Sequence, residues 1–502
     1  MRNRRPLGPL ALALPMLLVV VTLSTPARAS NIEGQLEQML QSHELGEAQV
    51  AVMVRDLDTG RTLARLRAEK PMIPASNMKL ITTAAALDVL GPEFLFRTEL
   101  RLIRDNDNAG TTLLVRGDGD PAFGDPVLLE AHGYELDDVL ASWEQAVAET
   151  DLQTIDRLLV DDRVFDRQFV HPSWPEGQLI RGYSAQVAGL NFYRNCIDVR
   201  LIPDERVGLA PDVEIYPDVP FIETTNKATT GGKDSYWISR ASDRNKFTFH
   251  GTVRNRPYEP TQVTVHDPPM FFGRLFAHRL DARADVTVST VQRIEDDAML
   301  PVGSTLHRMQ TTLPAILDRV NRDSQNMFAE ALLKRMGRAV TGTPGSWENG
   351  AAAVRLALRQ RLGTSSAAIR IADGSGYSRD NRVSAEAFVQ LLQSMHDDSD
   401  TAKARIFRES LSEAGRHGTL EKRLTDLPHA SVHGKSGYLR SVSALSGYLV
   451  LNPTDDEPRT IAFSFLFNGF KPPLYNAQMK QLQDDMLRTI VETLEPSVQL
   501  GG

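Results

Sequence analysis

The chain of 502 residues is long enough for several domains, each with its own hydrophobic core. With 41% hydrophobic and 24% charged residues it has the composition of a globular protein, which excludes a disordered, collagen-like or coiled-coil chain. The formal net charge of −8 leaves no excess positive charge to neutralise phosphates, so we predict no nucleic-acid partner. Cys196 is the single cysteine, which excludes an intramolecular disulfide and a zinc site built on paired thiolates.

The first 29 residues have the pattern of a secretory signal peptide. Three arginines precede an apolar stretch at 10–23, and Ala27-Arg28-Ala29 offers the small residues that a signal peptidase reads. We therefore expect cleavage after Ala29 and a periplasmic protein. The alternative is an uncleaved membrane anchor, but the apolar stretch is shorter than the ~20 residues that a membrane span needs.

Strand patterns at both ends of the chain predict one domain that is built from the two termini. Residues 48–55 and 61–67 read as a hairpin, and 443–451 and 460–468 read as two more strands before a closing helix. Between them, 96–300 reads mostly as short strands, which predicts an inserted β-rich region. A helical pattern then resumes at 306–337. The predicted division is therefore 30–95 with 301–502 for one domain and 96–300 for the insertion.

Ser76 and Lys79 form the first candidate for chemistry. Lys79 is the only charged residue between positions 71 and 87, in a segment that is apolar nearly all round and so predicts a buried helix. Burial lowers the pKa of a lysine, and a residue three positions earlier lies one helical turn away. The pair therefore predicts a serine nucleophile beside a neutral amine base. By itself, a capping serine with a lysine extended towards solvent explains the same spacing.

Two later motifs favour the catalytic interpretation. Ser324-Gln325-Asn326 precedes an amphipathic helical stretch, and Lys435-Ser436-Gly437 precedes the strand at 443–451. With Ser76 and Lys79, these motifs resemble the active-site signature of penicillin-recognising serine enzymes. Their order, and the long separation of the first two, resembles the class C low-molecular-mass penicillin-binding proteins, the D-alanyl-D-alanine carboxypeptidase/endopeptidases of the penicillin-binding protein 4 type. The resemblance includes Asp373-Gly374-Ser375-Gly376 and Gly418-Thr419-Leu420.

The resemblance implies an α+β fold, in which a transpeptidase/β-lactamase-like domain with an antiparallel sheet flanked by helices carries a large, mostly β insertion. It also implies acyl transfer on peptidoglycan stem peptides and cross-links, with β-lactams as covalent inhibitors. Ser76 would attack the carbonyl carbon of the penultimate D-alanine, Lys79 would take its proton, and Ser324 would relay a proton to the departing amine. The sequence does not divide carboxypeptidase from endopeptidase activity, and it sets no oligomeric state.

The remaining site residues are also implied by the resemblance. Asn326 would bind the substrate amide and hold Lys79. Lys435 and Ser436 would bind the terminal carboxylate of the substrate, and Arg379 would lie near the cleft. The backbone N–H groups of Ser76 and Tyr438 would stabilise the oxyanion. No metal or other cofactor is predicted, since no metal-binding spacing of histidines such as His-Glu-x-x-His occurs.

The chain departs from the family pattern in several places. Ser436 stands where threonine is usual, and Tyr438 stands where threonine or serine is usual. The family places an acidic residue near 174–184 for a diaminopimelate amine, for which Glu176 is the candidate here, and Tyr183 is expected to face the peptide. Glu330 lies past the second motif on a helix face whose direction the sequence does not set.

Two alternatives stay open. A β-lactamase uses the same three motifs, but it is shorter and carries no insertion of this size. A non-catalytic wall-binding homologue would have no chemical need of the intact polar residues of the motifs. We find no glutamate recognisable as a deacylating base, so we expect β-lactams to acylate the protein and to leave slowly.

Overall fold

The computed structural model describes residues 29–494 except 105–109, 300–301, 428, 453–454 and 456–457. The predicted signal peptide therefore lies outside the described residues, apart from Ala29. Among the helices that are described, none is long and apolar enough to cross a membrane. The helices are α1 Ala29–Ser42, α2 Met78–Val89, α3 Pro126–Ala131, α4 Leu136–Ala148, α5 Pro268–Ala284, α6 Leu313–Asn321, α7 Asn326–Thr341, α8 Trp347–Leu362, α9 Ala385–His396, α10 Thr401–Glu409 and α11 Asn476–Leu494. The strands are β1 Gln49–Asp56, β2 Thr62–Leu66, β3 Leu95–Arg104, β4 Thr111–Gly117, β5 Thr154–Asp161, β6 Cys196–Ile202, β7 Asp212–Tyr216, β8 Glu223–Asn226, β9 Thr229–Thr230, β10 Trp237–Arg240, β11 Lys246–His250, β12 Thr252–Val253, β13 Thr261–Thr264, β14 Thr287–Arg293, β15 Ser304–Thr312, β16 Ser412–Glu413, β17 Ala430–Leu439, β18 Val442–Leu451 and β19 Arg459–Asn468.

Strands from both ends of the chain form one antiparallel sheet in the order β16-β17-β18-β19-β1-β2. Alternate residues of β1 face opposite sides, as the period of a strand requires. Val50, Val52 and Val54 pack in the core beneath α1 and α11. Ala51 and Met53 pack in the second core, which holds α2, α6, α7, α8 and α9. Since helices cover both faces, β18 is buried at every position.

The second core explains why α2 is apolar on all sides. All residues of this helix from Met78 to Leu87 are buried, because it contacts α6, α7, α8 and α9. Any polar group on α2 must therefore find its partners inside the protein. The predicted α+β fold with an antiparallel sheet flanked by helices is confirmed.

A five-stranded mixed sheet, in the order β14-β5-β4-β3-β15, dominates the middle of the chain. Its core includes Trp143 on α4 and Phe272 and Phe276 on α5, which pack edge to face or stacked. Smaller sheets join β13-β6-β7, β10-β11-β8 and β12-β9.

The helix predicted to begin at residue 306 begins only at Leu313, so that part of the prediction is wrong. Residues Ser304–Thr312 form β15, which pairs antiparallel with β3. The segment is rich in threonine, which suits a half-exposed strand, and the neighbouring β3 supplies the ladder that the local pattern does not show. The helix then starts where the Thr312 hydroxyl accepts a hydrogen bond from the N–H of Ala315.

Candidate active site

Ser76 lies on a tight turn, Ala75–Asn77, immediately before α2. The turn begins at Ala75 with φ at 47°, in the left-handed region that alanine rarely adopts. Nδ2 of the Asn77 side chain donates a 2.7 Å hydrogen bond to Oγ of Ser446 on β18. The turn is therefore attached to the six-stranded sheet that contains β18. Neither Ser76 nor Asn77 caps the helix with its side chain, although both are typical helix-start residues.

Lys79 is fully buried, and its amine has three partners. Nζ lies 3.1 Å from Oγ of Ser76, 2.6 Å from Oδ1 of Asn326 and 2.9 Å from the carbonyl oxygen of Ser375. Burial lowers the pKa of Lys79 from 10.5 to about 7, against the opposing charges of Glu330 and Asp373. A large fraction of the amine is therefore neutral near pH 7, and its lone pair can accept the proton of the Ser76 hydroxyl.

A second buried lysine, Lys435, contacts the second motif. Lys435 on β17 donates to Oγ of Ser324 and to the carbonyl oxygen of Ser436, both at 2.9 Å. Ser324 joins α6 to α7 with φ at 58°, which turns its side chain towards this lysine. Burial lowers the pKa of Lys435 well below 10.5, and the charge of Lys79 lowers it further.

Asn326 connects the lysine to the loop that covers the cleft. Its Oδ1 accepts from Lys79, and its Nδ2 donates a 2.7 Å hydrogen bond to the carbonyl oxygen of Tyr183. The two ends of the amide are thus both used within the protein. A substrate group that reaches Asn326 shares or replaces the bond to Tyr183.

The predicted residues Ser76, Ser324, Asn326, Ser436 and Tyr438 line one cleft of about 660 Å³. Lys79 and Lys435 lie buried beneath it. Two exposed cations, Arg440 and Lys480, are among the residues that line the cleft. Neither makes an ion pair with a described residue, and the described lining residues include no carboxylate. The residues that line the cleft are Ser76, Gln178, Tyr183, Ser324, Asn326, Gly376, Tyr377, Thr419, Ser436, Tyr438, Leu439, Arg440 and Lys480.

Arg379 and Glu176 lie outside this lining. The guanidinium of Arg379 donates to the carbonyl oxygen of Arg440 and lies in an adjacent groove. Glu176, the candidate for contact with a substrate amine, is exposed and does not line this cleft. The short turn Glu176–Gln178 instead presents Gln178 to the cleft, where its Oε1 accepts from the hydroxyls of Tyr377 at 2.7 Å and Tyr183 at 3.3 Å.

Thr419 and Tyr377 are cleft residues to which the sequence assigned no role. Oγ of Ser436 donates to Oγ1 of Thr419 at 2.9 Å, so two hydroxyl groups lie side by side in the cleft. The backbone N–H of Thr419 donates to the carbonyl oxygen of Arg322 next to the second motif. Gly418-Thr419-Leu420 is the sequence signal that could have identified this residue.

Comparison with known proteins identifies the family of this chain. The model of the D-Ala-D-Ala carboxypeptidase 3 (S13) family matches residues 32–490. The chain belongs to this family. It is 30% identical to a D-alanyl-D-alanine carboxypeptidase of an Actinomadura strain, over 89% of this chain and 82% of the relative. It is 25% identical to the D-alanyl-D-alanine carboxypeptidase DacB of Haemophilus influenzae, over 92% of this chain and 94% of the relative.

The fold matches a solved structure of the same kind. The crystal structure of penicillin binding protein 4 from Haemophilus influenzae has a TM-score of 0.74 to this chain at 20% identity, and the match covers 91% of this chain and 99% of that one. A structure of that protein complexed with a β-lactam matches with a TM-score of 0.69. The predicted family and enzyme class are confirmed: the protein is a serine-type hydrolase of the D-Ala-D-Ala carboxypeptidase family.

Proposed function

We propose that Ser76 is the nucleophile of this carboxypeptidase and that it forms an acyl-enzyme with peptidoglycan stem peptides. The observation that carries the proposal is the 3.1 Å contact between Oγ of Ser76 and Nζ of the fully buried Lys79. A neutral amine at this distance is a competent general base. The oxygen attacks the carbonyl carbon of the penultimate D-alanine while Lys79 takes the hydroxyl proton.

Ser324 and Lys435 act on the leaving group. The tetrahedral intermediate expels the amine of the terminal D-alanine, which needs a proton. The hydroxyl of Ser324 delivers it and regains one through the buried lysines. The backbone N–H groups of Ser76 and Tyr438 stabilise the oxyanion, and loss of one such donor typically costs ~3 kcal/mol in the transition state. Water then hydrolyses the ester and regenerates Ser76.

Lys435, Ser436 and Thr419 recognise the carboxylate of the terminal residue. The Lys435 amine and the neighbouring hydroxyl groups can donate hydrogen bonds to the carboxylate oxygens, and a bound anion favours the protonated amine. The 2.9 Å bond between the hydroxyls of Ser436 and Thr419 keeps the serine oriented, although it lacks the β-branch of the usual threonine. Asn326 holds Lys79 and contacts the substrate amide, and Tyr438 covers the end of the cleft.

The charges around the cleft bear on the choice of acyl donor. Arg440 and Lys480 line it, and the described lining residues include no carboxylate. This arrangement favours an acyl donor that carries free carboxylates over one that carries a free ammonium group. Arg379 supports the same region by fixing the backbone at Arg440.

We also propose that the protein is exported, with cleavage after Ala29, and acts in the periplasm on cell-wall peptides. The arginine-rich start and the apolar stretch of the sequence support this location. Residues 96–300 are proposed as an insertion that positions polymeric substrate. The Tyr183 carbonyl, which bonds to Asn326, supports such a role because it brings this region to the cleft. Both exopeptidase cleavage of a terminal D-alanine and endopeptidase cleavage of a cross-link are compatible with one site.

A covalent-labelling experiment tests the proposal. Purified protein mixed with a penicillin is expected to gain the mass of one ligand on the peptide that contains Ser76, and the adduct is expected to persist for many minutes. Ser76→Ala removes the label while the protein stays folded. Rapid loss of the adduct with repeated turnover of penicillin would assign the protein to the β-lactamases. Absence of any adduct would favour a non-catalytic homologue.

The substrate assay uses purified muropeptides. Release of D-alanine from monomeric pentapeptides measures carboxypeptidase activity, and conversion of cross-linked dimers to monomers measures endopeptidase activity. Ser76→Ala is the control in both reactions. If neither reaction occurs in a protein that penicillin labels, the stem peptide is not the substrate.

A further inference from the structure

Glu330 is a buried carboxylate that the roles proposed above do not use. It lies on α7 one helical turn after Asn326, and it is fully buried. Its carboxylate accepts three hydrogen bonds. They come from Nε1 of Trp347 at 2.8 Å and from the backbone N–H groups of Gly374 at 2.9 Å and Ser375 at 2.8 Å. It forms no ion pair with any described residue. Hydrogen bonds alone therefore compensate for its burial.

Ser375 joins this carboxylate to the general base. Its backbone N–H donates to Glu330, and its carbonyl oxygen accepts from Nζ of Lys79 at 2.9 Å. One residue thus contacts the carboxylate with one backbone group and the lysine with the other. A shift of this peptide moves the acceptor that holds the amine.

The loop 373–376 is closely packed on two sides, so it cannot shift without displacing its neighbours. A Cβ atom on Gly374 would lie 2.6 Å from the carbonyl oxygen of Ala329 on α7. A Cβ atom on Gly376 would lie 1.8 Å from the carbonyl oxygen of Ala75, the residue before the nucleophile. The loop is therefore wedged between the helix that carries Glu330 and the turn that carries Ser76.

The charge of Glu330 also acts on Lys79. Burial raises the pKa of Glu330 to about 7, and the charge of Asp373 acts in the same direction. The carboxylates of Glu330 and Asp373 in turn oppose the lowering of the Lys79 pKa. Lys334, the other cation near Glu330, donates to Oδ1 of Asp166 at 2.7 Å and is paired there. Ionised Glu330 therefore favours the protonated form of Lys79.

We propose that Glu330 is a positioning residue for the base: through the backbone of Ser375 it holds the amine of Lys79 beside the nucleophile, and its charge biases that amine towards its protonated form. The proposal rests on the proposed acylation of Ser76. It gives Glu330 two effects that a variant can separate. Loss of the hydrogen bonds lowers the maximal acylation rate, whereas loss of the charge extends activity to lower pH.

The test is the pH profile of acylation by a fluorescent penicillin between pH 5 and pH 9. Glu330→Gln removes the charge and keeps the shape. It is expected to lower the maximal rate and to move the midpoint of the acid limb to lower pH by up to about one unit. Trp347→Phe is the matched control, because it removes one donor to the same carboxyl group and leaves that group in place. Its midpoint is expected to move less than that of Glu330→Gln.

Glu330→Asp covers the case in which the glutamine variant does not fold. It keeps a carboxyl group but withdraws it from Gly374 and Ser375, so a lower maximal rate is expected, with a midpoint that moves less than that of Glu330→Gln. An unchanged midpoint in Glu330→Gln, or an unchanged maximal rate in Glu330→Asp, would overturn the proposal. Failure of the unmodified protein to react with penicillin would instead overturn the proposed function.

Discussion

Replacing Lys79 by methionine is expected to change how the stability of the protein depends on pH. The lysine is fully buried, and its pKa falls from 10.5 to about 7 on folding. Above pH 7 the folded state has released this proton, while the unfolded state still binds it. The free energy of unfolding of the unmodified protein therefore rises with pH relative to Lys79→Met, from about pH 7 to the pKa of a free lysine.

The size of the effect follows from the shift. Each pKa unit corresponds to about 1.4 kcal/mol, so the full shift corresponds to about 5 kcal/mol. Because half of the folded protein still carries the proton at pH 7, the gain between pH 7 and pH 9 is about 2 kcal/mol. The two acceptors that methionine leaves unpaired, Oδ1 of Asn326 and the carbonyl oxygen of Ser375, add a cost of about 1–3 kcal/mol each. That cost does not vary with pH in this range.

Urea unfolding at pH 7, 8 and 9 measures the difference, compared only where the m values of the two proteins agree. Ser76→Ala is the control, since it removes the proposed nucleophile and keeps the lysine. Its free energy of unfolding is expected to change with pH in parallel with that of the unmodified protein. A difference between the unmodified protein and Lys79→Met that stays flat from pH 7 to pH 9 would refute the lowered pKa and with it the neutral base.

Three further predictions concern the same cleft. Lys79→Arg is expected to abolish acylation by penicillin at every pH from 6 to 10, because arginine does not lose its proton; measurable labelling would exclude a neutral amine as the base. Gly376→Ala is expected to slow acylation by about a hundredfold, since its Cβ collides with the turn before Ser76, whereas Gly342→Ala, also at positive φ but with open space around it, is expected to keep the unmodified rate. Lys480→Glu is expected to lower kcat/KM for a peptide with free carboxylates about threefold to tenfold more than for its amidated analogue; an equal loss for both peptides would contradict a charge effect.

The parts of the site that follow from local spacing were predictable from the sequence. Ser76 and Lys79 are one turn apart, and the absence of other charges on the same segment indicated its burial. The paired strands at the two ends of the chain were also predicted within two residues of their observed limits. Each of these features depends on neighbours in sequence, through the period of a helix or a strand.

The parts that depend on distant segments were not predictable. Whether Glu330 faces the cleft or the core depends on where the loop 373–376 packs, and no pattern within α7 records this. Whether Glu176 or Gln178 lines the cleft depends on the orientation of the short turn Glu176–Gln178, which the sequence does not set. Residues 306–312 were assigned to a helix because their partner strand, β3, lies about 200 residues earlier in the sequence and its pairing leaves no local pattern.

The geometry of Ser76, the proposed nucleophile, is maintained by its surroundings and not by its own segment. Ala75 and Ser324 both have left-handed backbone conformations, which cost on the order of 1 kcal/mol each, and two lysines are buried beside them. The central sheet holds this arrangement in place: a Cβ on Gly437 of β17 would lie 3.0 Å from the backbone nitrogen of Ser76, and Asn77 is bonded to β18. The strands β17 and β18 lie about 350 residues after the nucleophile, so the position of Ser76 depends on the sheet that joins the two ends of the chain. A change that loosens that sheet should therefore lower acylation even when Ser76 and Lys79 are intact.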